Sequence, residues 1–70
     1  MRPKVHASAE SLRALRRALG WTQEELAHEI GVTVSTVNRW EGGHARPHHL
    51  VWRVVLGLAR QHGVKMEEGE

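Results

Sequence analysis

A chain of 70 residues with no cysteine and a formal charge of +2 is bounded tightly before any motif is read. It allows one domain with a small core and excludes disulfides and thiolate metal sites. It also lacks a run of the roughly 18 to 20 apolar residues that a membrane helix needs. The N-terminus, MRPKVHASAE, has no apolar stretch of the signal-peptide kind, so a cytoplasmic protein with no membrane partner is expected. The charge is unevenly spread. Glu67, Glu68 and Glu70 lie in the last four positions, whereas residues 1–64 hold nine Lys or Arg against five Glu, a balance of +4. A basic body suits a polyanion partner. The absence of Phe and Tyr, with Trp21, Trp40 and Trp52 as the only aromatic residues besides histidine, argues against the stacking platforms of single-strand binders.

Residues 1–7 read as a flexible basic arm ending near Ser8, the expected cap of a first helix. Leu12, Leu15 and Leu19 recur at helical spacing, with Arg13, Arg16 and Arg17 on another face, and Gly20 closes the helix. Thr22 opens a second helix in the sequence TQEE, where Glu25 stands three residues after the cap and can accept from its backbone N–H. Leu26, Ala27 and Ile30 form the inner face. Gly31 suits the left-handed turn that ends a helix, and Thr33 starts a third within two residues. That helix is expected to reach about Glu41, with Val37 and Trp40 inward, before GGHA breaks it. Pro47 fits the first turn of a fourth helix, about 47–61, because its missing N–H has no partner there anyway. Residues 63–70, GVKMEEGE, hold too little apolar surface to pack and read as a flexible acidic tail.

The spacing inside residues 22–41 has its own logic. Ala27 must be small where the third helix crosses the second, Gly31 permits the turn, and Val37 and Trp40 pin the third helix to the core. Val34, Ser35, Asn38 and Arg39 are then left pointing outward. Such a helix can enter the major groove of duplex DNA.

Gln23 at the helix start, Ala27 four residues before Gly31, Val37 six after it and Trp40 nine after it form a linked pattern, flanked by LRALRRALGWTQEELA and RWEGGHARP. The segment resembles the helix-turn-helix of the lambda-repressor-like family, the Cro/C1-type or xenobiotic-response-element type transcriptional regulators, over roughly residues 9–60. The resemblance implies an all-α, compact domain of four helices, or five, over residues 8–62. It also implies a sequence-specific, double-stranded DNA-binding repressor or regulator.

Each outward residue has an expected role beside a plainer one. Arg39 can bond bidentately to guanine O6 and N7, against a merely solvated arginine. Asn38 and Ser35 can bond base edges or phosphates, although Ser35 also suits an early helical turn. Val34 can touch a thymine methyl or a neighbouring helix. Thr22 and Gln23 stand where backbone N–H groups and the helix dipole favour a phosphate, a role the resemblance also implies for Gln23. Thr33, at the next helix start, is placed with them, as are Arg46 and His44 just past the third helix. Arg13, Arg16 and Arg17 of the first helix can add long-range attraction or a phosphate contact, against a solvated face for at least two of them.

Six histidines, with His44, His48 and His49 close in sequence, raise a metal site, but no carboxylate or cysteine is spaced to complete one. No nucleophile, base and orienting acid form a triad, and His28 in HEIG lacks the second histidine of a zinc-protease helix. Neither an enzyme nor a cofactor is expected. The fourth helix carries an apolar arc of Leu50, Val51, Val54, Val55 and Leu58, extended by Trp52, Leu56 and Ala59. The arc is wider than packing on one side requires. A homodimer through Trp52 and Leu56 on a palindromic site is the expected use, against the C-terminal tail folding back over Trp52 or the arc wrapping an irregular core. The competing use is an antitoxin-like or adaptor surface for a protein partner, with DNA binding secondary.

Overall fold

The computed structural model describes residues 9–66. The basic arm 1–7, the cap at Ser8 and the acidic positions 67–70 lie outside the described residues. Within them the chain forms four helices and no strand: α1 (Ala9–Leu19), α2 (Gln23–Ile30), α3 (Val34–Glu41) and α4 (His49–Gln61). None is long and apolar enough to cross a membrane.

The core is built from the expected stripes. Leu12 and Leu15 of α1, Leu26 and Ala27 of α2, Val37 and Trp40 of α3, and Val55, Leu58 and Ala59 of α4 meet in one buried cluster. Two eight-residue helices cannot hold themselves together, and α3 gains its stability by packing on both α1 and α2. Ala27, 3% exposed, is the small residue at that crossing.

The ends of these helices follow from local chemistry. Thr22 caps α2 through a complete capping box: its Oγ1 accepts from Glu25 N at 3.1 Å, and its own N–H donates to Glu25 Oε1 at 2.8 Å. Gly31 ends α2 at φ +92°, where its N–H and that of Val32 both donate to Ala27 O, at 2.8 and 3.0 Å. Thr33 caps α3 by accepting from Thr36 N at 3.2 Å. The turn between the two helices is therefore three residues, all of them committed.

The fourth helix departs from expectation at its start. Pro47 is buried ahead of the helix and is not in its first turn, because His48 supplies the cap, its Nδ1 accepting from Leu50 N at 3.1 Å. The C-terminal side departs too. After Gly63, at φ +71°, Val64 N donates to Ala59 O at 2.8 Å, and Val64 and Met66 pack against the core. The expectation of too little apolar content to pack therefore fails at residues 63–66. Two apolar side chains at alternate positions suffice once the glycine turns the chain back over α4. Trp21 completes this end, meeting the His62 ring edge-on with centroids 5.3 Å apart.

Candidate nucleic-acid interface

The solvent-facing side of α3 carries Val34, Ser35, Asn38 and Arg39, all exposed, while Val37, Trp40 and Glu41 face inward. Positions 37, 40 and 41 share one side of the helix cylinder, so 35, 38 and 39 fall on the other; Val34 lies at the boundary, nearly in line with Glu41, and is exposed at the first position of the helix. The structure thus brings together on one surface the four residues expected to read bases. Thr36, half-buried, bonds through its Oγ1 to Thr33 Oγ1 at 2.9 Å and ties the first turn to its cap.

Beneath this surface lies a residue with no role in the sequence reading. Glu41, the one carboxylate of α3, is 5% exposed. Arg16 grips it with two bonds, Nε to Oε2 at 2.8 Å and Nη2 to Oε1 at 2.9 Å. Gln23 Nε2 donates to Oε1 at 3.0 Å, and the Arg13 guanidinium donates to the Glu41 carbonyl. Burial pushes the carboxyl up, but the hydrogen bonds from Arg16 and Gln23 and the charges of Arg16 and Arg13 outweigh it, holding Glu41 below the usual carboxylate range. The hydrogen bond to Glu41 raises Arg16 against a smaller effect of burial, and the carboxylate charge adds to it.

Of the three central arginines of α1, Arg13 stays exposed while donating to the Glu41 carbonyl, and half-buried Arg16 binds the end of α3, reaching the Trp21 carbonyl as well at 3.2 Å. Arg17 remains exposed. A signal was present in the sequence. Arg16 stands four residues after Leu12 and Glu41 four after Val37, so both occupy the register of an apolar stripe. An ion at such a position calls for a partner.

The expected phosphate contacts are more divided. Gln23 is half-buried, with one end on Glu41 and the other accepting from Asn38 Nδ2 at 3.3 Å. Its side chain is tied to the protein, leaving one Nε2 hydrogen and the backbone N–H. The Thr22 hydroxyl is a cap acceptor, and Glu25 already places a carboxylate at that helix start. Thr33 is likewise a cap. His44 and Arg46 are exposed between α3 and α4, His44 N donating to Arg39 O at 2.9 Å. The loop thereby continues from the last turn of the outward helix.

On α4, Trp52 and Leu56 are half-buried, and Trp52 packs against the core. The exposed large apolar side chains of this helix are Leu50, at 55%, and Val54, at 52%. His48 and His49 stack with ring centroids 4.5 Å apart. Among the described residues, no three His, Asp or Glu side chains are close enough to hold a metal ion.

Two short helices joined by a glycine turn, the second with a polar outer face, define a helix-turn-helix protein. The family model described as Helix-turn-helix matches residues 12–48. A protein of Methanothermobacter thermautotrophicus named as an uncharacterized HTH-type transcriptional regulator is 42% identical over 52 residues, 73% of this chain and 75% of that protein. The chain belongs to the Cro/C1-type helix-turn-helix family. No solved structure matches it.

Proposed function

We propose that the protein is a transcriptional regulator, of the repressor kind, that binds specific double-stranded DNA in the cytoplasm with α3 in the major groove. The observation that carries this is the sorting of charge on α3. Its single carboxylate is turned into the core and neutralised by Arg16, so the outer face presents Val34, Ser35, Asn38 and Arg39 with no acid among them. Arg39 takes a guanine edge, Ser35 and Asn38 bond base edges, and Val34, 39% exposed, meets a thymine methyl. Arg46, His44 and the start of α2 at Thr22 and Gln23 hold phosphates on either side, with Thr33 at the start of α3.

The exposed Leu50 and Val54, with Leu56 beside them, form the face for a second copy. Such a dimer sets two α3 helices about 34 Å apart on a palindromic site. The same apolar face would serve an antitoxin-like or adaptor role toward a protein partner.

Selection from a random duplex pool tests the DNA function. A defined sequence should be enriched, its affinity should fall steeply with salt, and Arg39→Ala should weaken that site by about 1 to 3 kcal/mol while sparing nonspecific duplex. Equal loss on every sequence would remove base reading by Arg39.

A further inference from the structure

We propose that buried Glu41 acts as a specificity-positioning residue: through Gln23 it fixes which end of the Asn38 amide faces DNA, so that Asn38 selects adenine. The inference rests on α3 being the helix that enters the groove.

The argument is one of hydrogen-bond polarity. A carboxylate only accepts, whereas a side-chain amide has a donor end and an acceptor end. Glu41, held by two bonds from Arg16, can take from Gln23 only its NH2 group, and Gln23 Nε2 lies 3.0 Å from Glu41 Oε1. Gln23 Oε1 is therefore turned toward α3, where it accepts from Asn38 Nδ2 at 3.3 Å. Asn38 is exposed, and with one Nδ2 hydrogen committed it offers an outside partner its Oδ1 and the other hydrogen. That acceptor-plus-donor pair matches adenine, which presents an N6 donor beside an N7 acceptor. Guanine presents acceptors at O6 and N7, and thymine an acceptor at O4 beside its methyl. The choice at the surface is thus set two side chains below it, by a group that never meets the base.

Selection from a random duplex pool, run on the full chain and its variants, tests this. The position whose preference Asn38→Ala abolishes is the one Asn38 reads, and the wild type should favour adenine there by about tenfold over guanine. Gln23→Met should reduce that preference to within about twofold while the bases selected at the other positions stay the same, any lost phosphate contact lowering affinity on all sequences alike. Gln23→Lys, donor-only toward both neighbours, should turn the Asn38 amide over and change the preferred base to guanine or thymine. Full adenine preference in either Gln23 variant would overturn the proposal. So would a folded Glu41→Gln variant, confirmed by its thermal transition, that keeps that preference intact, because an amide at 41 no longer imposes one sense.

The hydrogen-bonded chain is also measured without DNA. The Asn38 side-chain amide resonances of the free protein should shift in Gln23→Met, and no shift would overturn the relay itself. If that shift occurs but the wild type enriches no sequence, the DNA function fails and the base assignment with it, while the hydrogen-bonded chain stands.

Discussion

Arg16 and Glu41, 25 positions apart, meet through two parallel hydrogen bonds that join the last turn of α1 to the last residue of α3. The pair is bidentate and the carboxylate is buried, so removing the cation strands a charge inside the protein. That is far costlier than losing a surface ion pair. Arg16→Ala should destabilise the domain by about 3 kcal/mol, lowering Tm by about 15 °C in a chain of this size. Arg17→Ala, one residue along and exposed, should stay within about 0.5 kcal/mol. Equal effects in thermal denaturation would remove the special standing of Arg16.

The same carboxylate makes stability depend on acidity. Its folded-state pKa lies below that of an unfolded glutamate, which is about 4.3, so on acidification the unfolded chain takes up the proton first. The contribution is complete above that value and is lost as pH falls through the lower folded one. Tm should therefore decline below about pH 4, and the decline should be shallower in Glu41→Gln. Parallel acid limbs in the two proteins would count against it.

Gly31 isolates a backbone effect. A methyl group there would meet no atom within 4 Å, yet φ is +92°. Gly31→Ala should therefore cost about 1 to 2 kcal/mol through conformation alone, and Gly31→Asn less, since asparagine tolerates that region better. Denaturant unfolding showing no loss for alanine would mean that the turn relaxes freely.

Association is best probed at Leu50 and Val54. Trp52→Glu would press a charge against the core and confuse folding with assembly, whereas Leu50→Glu and Val54→Glu alter exposed positions. Each should leave the unfolding free energy at low concentration within about 0.5 kcal/mol of wild type and give a monomer in sedimentation. A wild type that is already monomeric at high concentration would remove the dimer.

Much of the fold was legible in the sequence because it is local. Thr22 with Glu25, Thr33, and Gly31 with Val32 act across five residues or fewer, and the apolar positions of α1, α2 and α3 keep one period. The outward row of α3 followed from the inward one. Glu41 was not legible as a hub because its meaning depends on which helices dock. Only the packing of α1 and α2 around α3 brings Arg13, Arg16 and Gln23 to it from 28, 25 and 18 positions away. Pro47 misled for a different reason: a proline satisfies the rules for a first turn and for the segment ahead of one equally well, and His48 decided between them. The arc on α4 is wider than its packing, with Val55, Leu58 and Ala59 buried and Leu50 and Val54 exposed; which members are covered depends on how the helices dock.

With no tyrosine or phenylalanine, absorption and emission in the near ultraviolet belong to three indoles in three different settings. Trp40, 6% exposed, lies beside Glu41 in the seat of α3. Trp21 abuts His62 at the end of α4, and Trp52 is half-covered on that helix. Single-tryptophan variants would give the protein three separate built-in optical probes, one for the seating of α3, one for the contact of the α1–α2 turn with the end of α4, and one for whatever settles on α4.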